Sequence, residues 1–277
     1  MSDTFFSIVI PVLNEKYVLP HLLKNLTEQS FTDFEVFVVD SKSTDGTQKI
    51  VRDISKKDKR FHLLTSLKRN VGSQRNIGGR KSSGEFIIFF DADTEIPDFF
   101  LAGIHYQCSK DNLESFTTFA VPDSENTKDR LFMHATNIIF DTAAKLKAPL
   151  CLGSCIGVSR RVFESTDGFD ESIHFMEDTE FVKRVVKHGF KFVVLKEPTY
   201  TYSLRRMRKE GNLIMYRNII PTAKALLLDQ KITKPLPGYP MLGGTYFENI
   251  STKKKNTQSY IRLKNIVDSV RDLISEE

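Results

Sequence analysis

The sequence predicts an α/β protein with a mainly parallel, doubly wound sheet and a C-terminal helical extension. Three observations carry this. Short apolar runs recur at Phe5–Val12, Phe34–Val39, Phe61–Leu64 and Glu85–Phe90, each the length of one buried strand. Between them lie stretches with apolar residues at helical spacing. Strands alternating with helices form right-handed crossovers, and such a sheet binds its ligands beyond the carboxyl ends of its strands.

The first strand ends near Pro11. Asn14-Glu15 is predicted to open a helix carrying Val18, Leu19, Leu22, Leu23 and Leu26, in which Pro20 is tolerated only within the first turn. The second strand runs into Asp40-Ser41-Lys42-Ser43-Thr44-Asp45-Gly46-Thr47, a polar turn rich in capping residues ahead of a helix over Ile50 to Ile54. After the third strand, Asn70 to Gly79 is a loop leading into a helix. The next strand delivers Asp91-Ala92-Asp93. Further on, the pattern predicts helices over Pro97–Gln107 and Arg130–Lys147, a strand over Phe116–Val121 and a small-residue strand over Leu152–Val158. A turn at Gly168–Glu171, a helix from Met176 through Val186 and a last strand over Phe192–Leu195 follow. Lys209 to Leu228 supports one or two helices, Pro235 to Gly244 a loop. Tyr260, Leu263, Val267, Val270 and Ile274 fall near one face of a final helix.

Asp91 and Asp93 organise the rest. Alternation along an extended chain would point both carboxylates to one side, where hard oxygen ligands can share a divalent cation that also grips a diphosphate. The plain alternative is a helix cap beside a solvated carboxylate.

With 277 residues, 40% hydrophobic and 27% charged, the chain can bury a proper core and has the composition of a soluble globular protein. No stretch reaches the roughly 18 apolar residues of a membrane span, and Met1 to Phe6 has no basic start followed by a long apolar segment. A cytoplasmic protein is expected. Cys108, Cys151 and Cys155 are odd in number and lack CxxC spacing, which argues against a disulfide framework or zinc site. The net charge is +5, with basic residues grouped at Arg205, Arg206, Arg208 and Lys209 and at Lys253–Lys255. Such groups suit phosphates or acidic lipid surfaces; nucleic acid is not expected as a partner.

The order Ile8-Val9-Ile10-Pro11-Val12-Leu13-Asn14-Glu15, Val38 to Thr47, Gly72 to Asn76, Gly84-Glu85 through Asp91-Ala92-Asp93, and Glu177-Asp178 resembles the family-2 glycosyltransferases of GT-A fold, a Rossmann-like architecture. The resemblance covers roughly residues 6–205. It implies a glycosyltransferase domain over 1–205, with a nucleotide-binding half at about 1–95 and an acceptor half at about 96–205, followed by the helical extension at 206–277.

What it implies for the site can be set on this chain's residues. Pro11, Glu15 and Asp40 would hold the nucleotide base and ribose, a fitting use for a carboxylate acceptor. Such proteins usually have two consecutive aspartates where this chain has Asp40-Ser41. Arg75 would help hold the nucleotide sugar, and Gly72 would let the backbone turn into its helix. Asp91 and Asp93 become the ribose and metal pair, with Asp93 the direct ligand of Mg²⁺ or Mn²⁺. Many relatives add a histidine ligand after the last strand. This chain has Tyr200-Thr201-Tyr202-Ser203-Leu204-Arg205-Arg206 there, so Arg205 and Arg206 are assigned to the diphosphate. Asp178 would be the general base of an inverting displacement, with Glu177 orienting the acceptor or supporting the loop. The implied donor is a nucleoside diphosphate sugar. The acceptor is a glycan, a lipid-linked saccharide or a small molecule. The basic residues from Arg205 to Lys209 and the Pro-Gly loop near Tyr239 suit either a lid over the diphosphate, which ranks first, or peripheral contact at the inner face of the membrane. Two readings stay open beside this: a non-catalytic protein that binds sugar nucleotides or glycans, and a nucleotidyltransferase, although no Gly-rich phosphate loop with a following Lys is present.

Overall fold

Seven consecutive buried residues, Phe6 to Val12, make the first strand of a computed structural model that describes residues 4–210, 231–233 and 243–244. In chain order the elements are β1 (Phe6–Val12), α1 (Leu19–Thr27), β2 (Phe34–Asp40), α2 (Thr47–Lys57), β3 (Phe61–Thr65), α3 (Val71–Lys81), β4 (Phe86–Phe90) and α4 (Phe100–Asp111). They continue with β5 (Ser115–Pro122), α5 (Thr127–Lys145), β6 (Cys155–Ser159), α6 (Arg160–Ser165), α7 (Glu177–Lys187), β7 (Phe192–Tyr202) and α8 (Arg205–Glu210).

The strands form one sheet in the order β3-β2-β1-β4-β6-β5-β7. Parallel pairing joins β1 to β2 and β4, β2 to β3, and β5 to β7. Only β6, among the described residues, runs against its neighbours β4 and β5. The sheet is thus mainly parallel and covered on both faces, which is why β1, β2 and β4 read as continuous apolar runs. Leu19, Leu22, Leu23 and Leu26 of α1, Val51 of α2 and Ile104 of α4 pack in one cluster with Ile8, Ile10 and Val36. On the opposite face Val162 and Phe163 of α6 and Phe181, Val182 and Val185 of α7 pack with Val9, Phe89 and Ile156. The chain winds outward from β1 through β2 to β3, then crosses back to β4. The carboxyl ends of β1 and β4 therefore flank the switch point at which such sheets open a cleft.

Local sequence explains where several boundaries depart from expectation. The first helix begins at Leu19, because Pro20 must lie in the first turn, and Asn14 takes a left-handed φ of +55° instead of opening the helix. β4 stops at Phe90, and Thr94 N donates to Asp91 O at 3.1 Å. Asp91 to Asp93 therefore lie in a turn, where strand alternation does not set their direction. The small-residue strand starts at Cys155, leaving Leu152 to Ser154 as a loop. The last strand continues to Tyr202, since the exposed Lys196 and Glu197 interrupt the apolar pattern without ending the pairing.

α8 starts after β7, and the remainder of the extension expected over 206–277, with its amphipathic helix at 260–274, lies outside the described residues apart from 231–233 and 243–244. Those short pieces bond to the domain: His174 N donates to Ile232 O at 3.0 Å and Gly244 N to Leu13 O at 2.9 Å. The described residues form one compact unit.

Candidate active site

α3 has no apolar stripe because the face it turns to the sheet is polar. Gly72 to Asn76 are all buried, and Asn70 Oδ1 caps the helix by accepting from Ser73 N at 2.7 Å. Gln74 Nε2 donates to Val12 O at 2.9 Å and to Val39 O at 2.6 Å, satisfying carbonyls where β1 and β2 end. Asn76 clamps Phe169 through that residue's backbone N and O.

Between them Arg75, only 1% exposed, sends its guanidinium to three acceptors. Nη2 donates to Asp91 Oδ1 at 2.9 Å and to Gly153 O at 3.0 Å; Nη1 donates to Glu177 Oε1 at 3.0 Å. The cation also lies 5.2 Å from the centre of the Phe169 ring. The sequence reading sets Arg75 near the nucleotide sugar; in the structure its guanidinium is buried and bonded to Asp91, Gly153 and Glu177. A Cβ on Gly153 would come within 2.5 Å of Arg75 Nη2 and 3.1 Å of Asp178 Oδ2, so this close packing requires glycine.

The Gly153 loop is fixed by three further bonds that the sequence pattern did not reveal. Thr94 Oγ1 donates to Ser154 O at 3.0 Å, Ser154 Oγ and Tyr200 Oη pair at 2.9 Å, and Thr179 Oγ1 reaches Cys151 O at 3.3 Å. Cys108, Cys151 and Cys155 are free and buried, and Phe169 belongs to the core.

Glu177 and Asp178 open α7 directly after Met176, whose φ of +65° is left-handed. Asp178 Oδ1 accepts from Thr179 N at 2.6 Å. Burial and the adjacent Glu177 carboxylate push the Asp178 carboxyl up to about 7, against the pull of Arg75. A carboxylate so placed is half-protonated near neutral pH, the condition in which a general base works best.

Beyond the carboxyl ends of β1 and β4, Asp93 Oδ2 meets Arg205 Nε at 2.8 Å, and the same guanidinium reaches Glu15 Oε2 at 3.2 Å. Glu15 is buried and pushed up to about 7, chiefly by burial, with Arg205 opposing. Burial also raises Asp93, which Arg205 and the field of Arg206 pull down. Glu15 N donates to Thr47 Oγ1 at 2.9 Å, and that hydroxyl donates to Asp45 Oδ1 at 2.6 Å, so Asp45 braces the Glu15 loop. Asp40 Oδ1 accepts from Ser43 N and Gln48 Nε2, while its Oδ2 is buried with no partner. Ser41 turns to Lys68 O, and Pro11 is buried in β1 opposite Val39.

The carboxylates of Asp91 and Asp93, 38% and 20% exposed, offer the hard oxygen donors that a divalent cation takes. Among the described residues no group of three or more His, Cys, Asp or Glu is arranged as a ligand shell.

The seven-stranded, mainly parallel sheet has a Rossmann-like α/β architecture with carboxylates gathered at one edge. Comparison with known proteins gives the family: the model described as Glycosyl transferase family 2 matches residues 7–166, more than half of the chain, which belongs to that family. The chain is 30% identical over 230 residues to the amylovoran biosynthesis glycosyltransferase AmsB of Erwinia amylovora, covering 74% of this chain and 71% of that one. It is 33% identical over 92 residues to the GalNAc(5)-diNAcBac-PP-undecaprenol beta-1,3-glucosyltransferase of Campylobacter jejuni, covering 32% of this chain and 30% of that one. Among solved structures, S. aureus TarS 1–349 in complex with UDP-GlcNAc aligns with a TM-score of 0.60 at 21% identity, over 72% of this chain and 58% of that one. The mannosyltransferase PcManGT of Pyrobaculum calidifontis, in complex with GDP-Man and Mn²⁺, aligns with a TM-score of 0.61 at 19% identity, over 81% and 68%.

Proposed function

We propose that this glycosyltransferase moves a sugar from a nucleoside diphosphate sugar to an acceptor hydroxyl with inversion, using Asp178 as general base. The observation that carries the reading is the Arg75 fork, which joins Asp91 at the donor strand end to Glu177 beside Asp178. One rigid cation thereby sets the spacing between a donor-side carboxylate and a base raised to about 7.

In this mechanism Asp178 takes the acceptor proton as the acceptor oxygen bonds to the anomeric carbon, and the bond from that carbon to the diphosphate oxygen breaks on the opposite side. Glu177 is held in place by Arg75 and orients the acceptor. Glu15 and Asp40 take the nucleoside, with the orphaned Asp40 Oδ2 available to a base N–H or a ribose hydroxyl. Arg205 and Arg206 flank the diphosphate. Mg²⁺ or Mn²⁺ would be held by Asp93 and Asp91, and when bound it supplies Lewis-acid neutralisation of the leaving diphosphate. Residues 1–205 carry this chemistry, about 1–95 for the donor and 96–205 for the acceptor.

The names of the relatives support an acceptor in cell-envelope glycan synthesis, a polysaccharide or a lipid-linked saccharide. No helix among the described residues is long and apolar enough to cross a membrane. We place the enzyme in the cytoplasm with peripheral contact at the inner face of the membrane.

Thermal unfolding with UDP, GDP, CDP and dTDP, each with and without Mn²⁺ or Mg²⁺, tests the donor side. A nucleotide present at about a hundred times its Kd stabilises by about 2.7 kcal/mol. Stabilisation by one nucleotide, lost in Asp93→Ala when metal is present, is the expected result. No stabilisation by any of them would turn the reading toward a non-catalytic protein.

A further inference from the structure

α5 is built the wrong way round for a helix that ends at the domain surface. Of its 19 residues only Met133 is fully buried, while Leu131, Phe132, Ile138, Ile139 and the following Leu146 are exposed, Leu131 at 68% and Leu146 at 74%. With Ala135 and Thr142, also exposed, these residues share one arc of the helix, spaced at i, i+1, i+4, i+7, i+8, i+11 and i+15. The face is roughly 20 Å long at about 1.5 Å per residue. A contiguous apolar face of this kind marks an interaction surface.

Its place in the fold says what it serves. Asn137 pins α5 to β5, accepting from Ala120 N at 3.0 Å and donating to Ala120 O at 2.9 Å. Met133 packs with the cluster under α4, and Phe140 and Ala144 with the cluster under α7. The helix therefore passes over the carboxyl end of β5 from one layer to the other. Its N-terminal approach is tied to α8 by the Arg208–Asp123 ion pair, and its C-terminal exit leads to the loop that presents Gly153 to Arg75 and Asp178. Both ends border the cleft.

The rim decides between occupants. Lys128 stands at the start of the face and Lys147 beyond its end, both exposed, while the exposed Lys145 is ion-paired with Asp141. The two acidic residues of the helix point off the face, Asp129 toward Ser124 and Arg208, Asp141 toward Lys145. An apolar arc ended by lysines on a chain of net charge +5 complements an anionic lipid surface, into which the apolar side chains insert while the ammonium groups reach the headgroups. A ridge one helix wide is less suited to a second copy of the chain, since a standard-size interface buries about 800 Å² on each partner.

We infer that the exposed face of α5 docks the enzyme on an anionic phospholipid bilayer, turning the acceptor side of the cleft toward the membrane surface. This rests on the reading of that side as the acceptor site and moves the membrane contact from the basic stretch after β7 to α5. Co-sedimentation of the full-length protein with phosphatidylglycerol/phosphatidylethanolamine vesicles, against phosphatidylcholine vesicles, tests it without donor or acceptor. The wild type binds the anionic vesicles, and Ile138→Ser/Ile139→Ser binds at least tenfold less with an unchanged thermal midpoint. Because the native cysteines are buried, Ile138→Cys can carry an environment-sensitive fluorophore, whose emission shifts to the blue on anionic vesicles alone. No vesicle binding, equal binding by the double variant, failure of the introduced thiol to take the label in the free monomer, or its burial in a dimer seen by sedimentation velocity each overturns the proposal. Asp178→Asn keeps full vesicle binding, so loss of transfer in that variant bears on the catalytic reading alone.

Discussion

Arg75 and Glu177 face each other at 3.0 Å across 102 positions of sequence, with the guanidinium 1% exposed and its other terminal nitrogen on Asp91. The pair fixes α7 to α3 beneath the strand-end carboxylates. Arg75→Ala leaves Glu177 without its cation in a buried site. Removing one partner of a buried pair costs about 3–5 kcal/mol, and the low end applies because solvent screens the exposed part of Asp91. Urea unfolding is the measurement. Arg75→Lys keeps the charge without the planar fork, so it recovers part of the stability while transfer stays low. Recovery of full transfer by lysine would remove the fork from the mechanism.

Asp178 gives a pH prediction whose sign is fixed by its environment. Its folded value, about 7, stands above the ordinary 3.8, so the folded protein holds this proton more tightly than the unfolded chain does. The stability it contributes is present below about pH 4 and is lost as pH rises through 7. Transfer does the opposite, because the base must be ionised, and kcat rises toward a plateau above pH 7. Asp178→Asn is expected to lower kcat by about 10²–10⁴, while urea unfolding at pH 8 finds it no less stable than the wild type. A variant with unchanged kcat would dismiss Asp178 as the base.

The apolar strands β1, β2 and β4 were legible because each is buried on both faces. α3 was harder to read. Its buried residues Gln74, Arg75 and Asn76 leave no hydrophobic period, and their partners Val12, Val39, Phe169 and Glu177 are distant in sequence. The loop at Leu152–Ser154 read as strand because small residues are compatible with both states; its shape is set by Arg75, Thr94 and Tyr200. The antiparallel direction of β6 is likewise a matter of long-range pairing, with Phe90 opposite Cys155. Asp91 and Asp93 were picked out correctly as neighbours at a strand end, but the turn that holds them sends one to Arg75 and the other to Arg205.

Arg205 is paired with Asp93, the residue proposed as the direct metal ligand. With Nε 2.8 Å from Asp93 Oδ2, it occupies a carboxylate oxygen that a cation would need. Arg205→Ala is expected to bind Mn²⁺ about tenfold more tightly in the absence of nucleotide, because an opposing positive charge has been removed. The same change weakens nucleoside diphosphate binding, since one of the guanidinium groups assigned to the diphosphate is gone. Titration of free Mn²⁺ by electron paramagnetic resonance, followed by calorimetry with the stabilising nucleotide, separates the effects. Equal Mn²⁺ affinity in both proteins would show that Arg205 does not guard the site.

Asp40 carries the sharpest test of nucleotide recognition. Oδ1 already accepts from two donors, Ser43 N at 3.0 Å and Gln48 Nε2 at 2.6 Å, while Oδ2 is buried and unpaired. A buried acceptor left unmade costs about 1–3 kcal/mol, which a ligand donor would recover on binding. In Asp40→Asn the amide oxygen must take the place facing Ser43 and Gln48, because both are donors. The amide nitrogen then stands where Oδ2 was and presents N–H to any incoming N–H. One unpaired buried group replaces another, so the folded protein is expected to be about as stable as the wild type, with affinity for the stabilising nucleotide reduced about 10- to 100-fold. Calorimetry on the two proteins decides it: equal affinity would mean that the orphaned oxygen is not reserved for the nucleoside, and recognition would have to be sought at Glu15 alone.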